Sequence, residues 1–359
     1  MDTNLSSSQS PISPPVHVRL GWVAGLLSLL RPGLGIVYSG KLRKGIFSFI
    51  LFDLFFLINA YSVLYVYPER YGVFIFVLLH IFSIIIIILI SVLDARKQPV
   101  DYKLKKFNKV YIYIIYAVSV SVILELSVYN FIKSYGTFSG SMEPTIFPGD
   151  KFIVSMCSYG IHIPKSDKYL FTFKEPQRND VIAFNYRGTG YCKRCIGLPG
   201  DTISIKYRQL FINGEMIMEP YLKESRSPVY STDVRQNNIF PSCCGWNQDN
   251  YGPICVPKKG SLIEITDFNF DSWKDFIISD IDIDYASDLS DSLTMIRHNG
   301  IYRVKNDYFF VLGDNRDNSL DSRFWGFIKA SDIAGKIKLI YFSNIRMDIF
   351  WDRIGKRVE

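Results

Sequence analysis

Histidine is scarce in this chain, and its scarcity limits how a serine could be activated. Only four occur among 359 residues: His17, His80, His162 and His298. None of them lies in the three polar motifs described below. A serine hydroxyl needs a base before it can act as a nucleophile, and a Ser-His-Asp triad has no good candidate here for its histidine. A neutral lysine is the alternative base.

Cysteine is absent before residue 157, and six cysteines follow. Cys243, Cys244 and Cys255 lie in a loop rich in Gly, Pro and Asn, which favours a disulfide in an oxidising compartment without fixing its pairing. Cys192 and Cys195 form a C-x-x-C pair, but no second pair has the spacing of a zinc site. We therefore favour apolar packing over a metal or redox site for these two residues.

Charge of one sign is not in large excess either, since the net charge is +7. Much of the Lys and Arg stands in short clusters beside apolar segments. This pattern is typical of membrane topology signals, and it argues against a nucleic-acid partner.

The first third of the chain predicts a membrane region. Residues 1–19 are rich in Ser and Pro and predict a disordered tail. Residues 20–132 are strongly apolar. A helix needs about 20 apolar residues to cross a bilayer core of ~30 Å. Three stretches meet this requirement, at about 46–67, 73–93 and 110–131.

Residues 20–38 are apolar but do not predict a firm span. Arg31, Pro32 and Gly33 interrupt them, and a charge beside a helix breaker is unfavourable in lipid. An interfacial helix, a re-entrant segment and the arm of a hairpin all stay open.

Basic residues indicate the orientation of the spans. They cluster before the first span and between the second and third, at Lys41, Arg43, Lys44, Arg96, Lys97, Lys103, Lys105, Lys106 and Lys109. The positive-inside rule places both clusters in the cytoplasm. The third span then runs outward, so we expect the following domain on the opposite side of the membrane.

Three ionisable residues fall inside the spans: Asp53, His80 and Glu125. A proton or ion path through Asp53 and His80 is one interpretation. We favour contacts with neighbouring helices, because no continuous polar face accompanies them.

After residue 132 the pattern changes to short β-branched or alternating runs separated by turn residues. Asn213-Gly214 is typical of a type I′ hairpin. We predict a β domain over residues 133–214 and 300–359, with a β subdomain inserted at 215–299. Within the insertion, the acidic stretch at Asp280 predicts an edge strand with a solvent-facing side rather than a calcium loop, since the glycine of such a loop is missing.

Three motifs carry the chemistry. They are the serine motif (residues 139–145), the lysine motif (191–201) and the aspartate motif (313–326). Lys193 stands in a predicted strand, where burial would disfavour its ammonium form and lower its pKa. Neighbours in a strand point to opposite faces, so one of Lys193 and Arg194 can be buried and the other exposed.

Together these motifs resemble the conserved boxes of the type I signal peptidases, membrane-bound serine proteases that remove leader peptides. The resemblance covers roughly residues 133–214 and 300–357. It implies that Ser141 is the nucleophile and Lys193 the general base. It also implies that Ser139 completes the oxyanion hole with the backbone N–H of Ser141.

The resemblance assigns supporting roles to further residues. Ser319 would hydrogen-bond and orient the lysine, and Asp321 would join a salt-bridge network with Arg323. Asp314 and Arg316 would hold the turn. The substrate pocket would be lined by Met142, Ile146, Tyr191 and Cys192.

The implied architecture is an N-terminal transmembrane α-helical region followed by a mostly-β catalytic domain of antiparallel sheets with an inserted β subdomain. The implied protein is a multi-pass protein of the bacterial inner membrane whose catalytic domain is periplasmic or extracytoplasmic. Its partners would be exported preproteins with small residues at −1 and −3, membrane lipid and, by proximity, the secretion translocon. No metal or organic cofactor is implied. The alternatives are a Ser–Lys protease with few dedicated substrates and a catalytically silent membrane scaffold.

Overall fold

A computed structural model describes most of the chain. The described ranges are 18–65, 72–100, 102–162, 169–172, 174–223, 227–281, 293–298, 300–345 and 348–358. The tail predicted over residues 1–19 therefore lies almost wholly outside them. The chain divides into two compact units, one of residues 1–66 and 73–127, the other of 67–72 and 128–359. The inserted subdomain at 215–299 falls within the second unit and stays a prediction.

The first unit is helical. Its helices are α1 (Gly21–Leu30), α2 (Leu34–Tyr38), α3 (Leu42–Tyr65), α4 (Gly72–Arg96) and α5 (Val110–Phe131), the last of which runs a few residues into the second unit. Among the described residues, one helix segment, Phe74–Arg96, is both long and apolar enough to cross a membrane. Helices stand at all three predicted spans, but that any of them crosses a membrane stays a prediction.

Residues 20–38 form two helices packed closely together. Gly33 turns the chain between them with φ of 82°, a conformation that glycine adopts without strain. A Cβ on Gly35 would lie 1.9 Å from the carbonyl oxygen of Ala24. Only glycine allows the two backbones to approach this closely.

Two basic residues at the start of α3, one just before the helix and one in its first turn, are ion-paired inside the first unit. Lys41 and Lys44 each place Nζ 2.7 Å from an oxygen of Asp94. Asp94 is near the end of α4, so this pairing brings the start of α3 and the end of α4 together. No sequence pattern singled out Asp94.

The second unit is mostly antiparallel β. Its strands are β1 (Ile132–Gly136), β2 (Asp150–Ser155), β3 (Gly160–His162), β4 (Tyr169–Thr172), β5 (Val181–Tyr186), β6 (Thr189–Gly197), β7 (Thr202–Lys206), β8 (Gln209–Ile212), β9 (Glu215–Met216), β10 (Tyr251–Cys255), β11 (Leu262–Glu264), β12 (Ile301–Arg303), β13 (Tyr308–Leu312), β14 (Ile328–Lys329), β15 (Ile333–Ile345) and β16 (Asp348–Ile349). Helix α6 (Phe270–Ile281), helical residues 293–298 (α7) and α8 (Ser322–Trp325) complete it.

The main sheet has the strand order β1-β2-β15-β5-β6-β13-β14, with β16 paired to β15. A second sheet has the order β10-β7-β8-β9. Central strands β5 and β13 are apolar in almost every position and buried on both faces. Strand β6 lies between them, so its polar side chains are carried into the interior.

The predicted hairpin at Asn213-Gly214 is confirmed. Both residues have positive φ, 53° and 87°, as a type I′ turn requires. They join β8 to β9 with Ile212 opposite Glu215.

The predicted edge strand at Asp280 is wrong. Asp280 lies in α6 and is 1% exposed. Its carboxylate accepts hydrogen bonds from the hydroxyls of Tyr302 at 2.7 Å and Tyr308 at 3.0 Å. It therefore joins the helix to two strands. Asp282 and Asp284 lie outside the described residues.

The predicted disulfide is also wrong. All six cysteines, each of them in a described range, are free. The Sγ atoms of Cys243 and Cys244 lie 3.9 Å apart.

Candidate active site

Ser141 and Lys193 meet at the centre of the second unit. Lys193 Nζ lies 2.7 Å from Ser141 Oγ and 3.1 Å from the carbonyl oxygen of Cys192. The two side chains come from a loop after β1 and from β6. They are buried, with Ser141 6% and Lys193 3% exposed. The two residues that the sequence singled out are thus in hydrogen-bond contact.

Burial lowers the pKa of Lys193 below the usual lysine value of 10.5. Nearby Cys192, Asp321 and Asp314 act in the opposite direction but do not cancel this effect. Taking an ammonium out of water favours the neutral amine, so the site favours a lysine that can accept a proton.

Arg194, the next residue along β6, is buried as well. It is 1% exposed, so the exposed side chain suggested by strand alternation is wrong. Its Nε and Nη2 donate to the two oxygens of Asp314 at 2.9 and 2.7 Å. Thr145 Oγ1 donates to the same carboxylate. A bidentate pair of this kind fixes orientation as well as charge, and here it joins all three motifs.

The aspartate motif also holds the backbone around Ser141. The backbone N–H of Asn315 donates to the carbonyl oxygen of Ser141 at 3.1 Å, and its Nδ2 donates to that of Gly140 at 2.9 Å. A Cβ on Gly313 would lie 2.6 Å from the Ser141 carbonyl oxygen and 2.2 Å from Ser319 Oγ. Sequence reasoning assigned no role to Asn315 or Gly313; only their place inside the motif could have pointed to them.

Asp321 and Arg323 form a buried ion pair beneath the site. Arg323 Nε and Nη2 lie 2.9 and 3.0 Å from the Asp321 oxygens, and the Gly313 N–H donates to the same carboxylate at 3.1 Å. Burial alone would raise the pKa of Asp321, but Arg323 and the Gly313 N–H lower it below its usual value. The lowered pKa keeps the Asp321 carboxylate ionised, and this carboxylate acts on Lys193.

Ser319 occupies a different position from the one expected. Its Oγ is buried. Ser319 and Lys193 are both described by the structure, and no hydrogen bond joins Ser319 Oγ to Lys193 Nζ. Ser319 lies close enough to the Asp321 carboxylate to stabilise its charge, although no atom pair there reaches hydrogen-bond geometry. The expected orientation of the lysine by Ser319 is therefore not formed in this structure.

The two expected oxyanion donors are adjacent. The backbone N–H of Ser141 donates to Ser139 Oγ at 3.3 Å. Ser139 is exposed and is held in its turn by Thr137, whose Oγ1 accepts from the Ser139 N–H at 3.2 Å. An incoming carbonyl oxygen would have to take the place of the Ser139 hydroxyl at the Ser141 amide.

A cleft of about 780 Å³ opens over these residues. Its walls include Ser139, Ser141, Lys193 and Ser319, together with Tyr191 and Cys192. The other two residues expected in the pocket are not at its surface. Met142 and Ile146 are 1% and 0% exposed and belong to the core between β2 and β15. Apolar cleft residues that the sequence did not indicate include Phe152, Ala183, Phe184, Leu320, Phe324 and Ala334.

Cys192 and Cys195 do not act as a pair. Cys192 contributes to the cleft, whereas Cys195 is fully buried in a separate core cluster behind β6. Residues three apart in a strand face opposite sides. Burial raises the pKa of both thiols, which disfavours the thiolate that redox or metal chemistry needs.

Comparison with known proteins decides the family. The model of the signal peptidase family, peptidase S26, matches residues 108–342. This chain belongs to the signal peptidase family. It is therefore a serine peptidase, and all three motifs of this signal peptidase lie inside the matched range. The scaffold alternative is not supported.

Two signal peptidases illustrate the similarity. Signal peptidase I of Buchnera aphidicola subsp. Baizongia pistaciae is 32% identical over 236 residues, which cover 60% of this chain and 74% of the relative. Signal peptidase I P of Bacillus subtilis subsp. natto is 30% identical over 230 residues, covering 63% and 86%. A signal peptidase I of known crystal structure from Enterococcus faecalis covers 46% of this chain and 98% of its own at 25% identity, with a TM-score of 0.24, too low for a comparison of folds.

Proposed function

We propose that this chain is a membrane-bound endopeptidase that removes signal peptides from exported preproteins, with Ser141 as nucleophile and Lys193 as general base. The observation that carries the proposal is the 2.7 Å contact between the buried Nζ and Oγ. Membership of the signal peptidase family supports the substrate class.

The proposed reaction starts with neutral Lys193. Its amine takes the proton of Ser141 Oγ as the oxygen attacks the scissile carbonyl carbon. The oxyanion that forms accepts hydrogen bonds from the Ser141 N–H and the Ser139 hydroxyl, donors of the kind typically worth ~3–4 kcal/mol each. Lys193 then gives its proton to the leaving amine, which carries away the mature protein. Lys193 then deprotonates a water that attacks the remaining ester; the signal peptide leaves with a free carboxyl group, and Lys193 returns the proton to Ser141 Oγ.

Asp321 and Ser319 act on this cycle through their charge and packing. Between proton transfers Lys193 is briefly an ammonium ion in a buried site. The Asp321 carboxylate raises the pKa of Lys193, so it stabilises that ion. Arg323 is paired with Asp321 and keeps its carboxylate ionised when the lysine is neutral. Ser319, positioned beside this pair in the cleft, is proposed to rotate towards Nζ when the ammonium forms.

The cleft supports selection for small side chains. We propose that an extended peptide lies between the loop before Ser141 and strand β6, where backbone pairing provides affinity. Tyr191 and Cys192 stand beside Lys193 on that strand and share the wall with Ala183 and Phe152. Bulky wall residues leave shallow apolar sites, which favours small residues at −1 and −3.

We further propose a multi-pass topology, with the second unit on the extracytoplasmic side, in contact with lipid and near the secretion translocon. The support is the apolar helix Phe74–Arg96 and the basic clusters of the first unit.

The test is cleavage of a preprotein with an Ala-x-Ala site by the full-length protein in lipid vesicles, with sequencing of the new N-terminus. We expect one cut after the second Ala and none with Ser141→Ala. Ser331→Ala, at an exposed serine outside the cleft, is the control and should keep the activity. A cut elsewhere, or an active Ser141→Ala variant, would contradict the proposal.

A further inference from the structure

A short segment outside the three motifs contacts every one of them. Residues 219–223 (Glu-Pro-Tyr-Leu-Lys), here called the clamp segment, follow β9. They fold into a turn closed by the Leu222 N–H donating to the Glu219 carbonyl oxygen at 3.2 Å. Neither the family resemblance nor the proposed mechanism gives this segment a role.

The clamp segment reaches the serine motif through its lysine. Lys223 Nζ lies 2.5 Å from Glu143 Oε2. Glu143 is two residues after the nucleophile, and its backbone N–H donates to the Gly140 carbonyl oxygen at 3.3 Å. A Cβ on Gly140 would lie 2.7 Å from Glu143 Oε1. The Glu143 carboxylate is thus packed against the turn that presents Ser141.

The clamp segment reaches the lysine motif through its aromatic ring. The Arg194 guanidinium lies over the Tyr221 ring, 3.8 Å from its centre. The Tyr221 hydroxyl donates to Glu219 Oε1 at 3.1 Å. The ring therefore covers the Arg194–Asp314 pair and excludes water from it, which strengthens the pair. Arg194 follows the proposed base directly, so its position bears on that of Lys193.

The clamp segment reaches the aspartate motif twice. The Lys223 N–H donates to the Asp314 carbonyl oxygen at 3.0 Å. Glu219 pairs with Arg316, and both side chains are at least nine-tenths buried. Arg316 Nε in turn donates to the Gly313 carbonyl oxygen at 3.1 Å. Lys223 and Glu219 therefore hold the start of the aspartate motif, through Asp314 and Arg316.

We infer that the clamp segment is a positioning element for the Ser141–Lys193 pair, with Tyr221 and Lys223 as positioning residues. The three motifs come from a loop, a strand and a second loop, and the clamp segment adds contacts to each of them beyond those that the motifs make with one another. Tyr221 holds the strand through Arg194, Lys223 holds the loop of Ser141 through Glu143, and Glu219 holds the aspartate motif. The inference rests on the proposed function, since it assigns the segment to that same pair.

The first test compares Tyr221→Ala with Tyr221→Phe in cleavage of the Ala-x-Ala preprotein. Misplacing a catalytic group by 1 Å can lower a rate by about 100-fold. We expect kcat of Tyr221→Ala to fall by about 10- to 100-fold with KM within about twofold, because the cleft is unchanged. Tyr221→Phe keeps the ring over Arg194 and should restore kcat to within about threefold of wild type.

A second pair of variants keeps the test decisive if Tyr221→Ala does not fold. Lys223→Met removes the tie to Glu143, and Lys259→Met removes an exposed lysine outside the site. We expect Lys223→Met to lower kcat by about three- to tenfold, a smaller effect because the pair is partly exposed. Lys259→Met should change neither constant.

The outcomes separate the inference from the proposed function. A wild type that cuts nothing contradicts the proposed function and removes the basis of the inference. A wild type that cuts, with Lys223→Met and any folded Tyr221→Ala as fast as wild type, overturns the inference alone. Loss of activity that follows only the folded fraction in a thermal melt, with kcat per folded molecule unchanged, also overturns it.

Discussion

Replacement of Gly313 by alanine should disable the site with a single added methyl group. The new Cβ would lie 2.2 Å from Ser319 Oγ, 2.5 Å from Ser319 Cβ and 2.6 Å from the Ser141 carbonyl oxygen. Ordinary carbon contacts need about 3.5 Å, so these neighbours must move by roughly 1 Å. The displaced carbonyl belongs to the nucleophile, Ser141. It accepts a hydrogen bond from the N–H of Asn315, which is two residues after Gly313.

The expected loss follows from that displacement. A 1 Å shift of the nucleophile predicts a fall in kcat of about 100-fold. The overpacked core should also lose ~1–3 kcal/mol of unfolding free energy. Cleavage kinetics and chemical denaturation of the same preparation measure the two effects.

Gly190→Ala is the matched control for this substitution. Gly190 lies in the cleft wall on β6, and a Cβ there would meet no protein atom within 4 Å. The added methyl does not touch Ser141, so the variant should keep wild-type kcat and stability, and any effect on substrate binding should appear in KM. If Gly313→Ala cuts as fast as Gly190→Ala, the close packing of Gly313 against Ser141 is irrelevant to catalysis and the reasoning fails.

Three further predictions concern buried charge. Because burial lowers the pKa of Lys193, kcat/KM should rise with pH along a curve whose midpoint lies below the ordinary lysine pKa; a midpoint at or above that ordinary value would contradict a neutral base. The unfolded chain binds a proton that buried Lys193 does not, so Lys193→Met should stabilise the protein, and the gain measured by denaturation should grow as pH falls between the usual and the lowered pKa. Asp321→Asn leaves Arg323 buried without its partner and should lower the unfolding free energy by ~3–5 kcal/mol, whereas a change below about 1 kcal/mol would mean that water reaches the pair.

Local patterns in the sequence predicted the elements that depend on local forces. The apolar run at 110–131 is a helix with the same bounds. The Asn213-Gly214 turn is where two residues tolerant of positive φ predict it. Ser141 and Lys193 were also identified, but through the resemblance of whole motifs. Taken alone, Lys193 would be interpreted as an ordinary lysine on a strand.

The errors arise where distant parts of the chain meet. Strand alternation left Arg194 free to face solvent, yet its partner Asp314 is 120 residues away, and β5 and β13 flank the strand on either side. Asp280 looked like a solvent-facing carboxylate because its donors, Tyr302 and Tyr308, come more than 20 residues later. The short stretch of sequence around Arg194 or Asp280 does not include these partners, so local patterns could not predict the contacts.

The pocket assignment holds for Tyr191 and Cys192 but failed for Met142 and Ile146, for a related reason. Met142 follows the nucleophile directly, and its proximity in sequence suggested proximity to the substrate. The turn at Ser141 instead directs Met142 and Ile146 into the core beside Val154. Which face of a loop is buried depends on the strands beneath it, and the sequence of the loop alone does not specify that.

The central claim is that Ser141 and Lys193 form one catalytic unit, and a double-mutant comparison tests it most directly. Cleavage rates of the Ala-x-Ala preprotein would be measured for Ser141→Ala, Lys193→Met and the double variant, each in lipid vesicles at saturating substrate. Lys193→Met preserves the length and burial of the side chain, so the fold should be kept. Groups that act together do not have additive effects.

We predict that both single variants fall to the same residual rate and that the double variant falls no further. Near-normal cleavage by Lys193→Met, or losses that multiply in the double variant, would show that Ser141 is activated by another base.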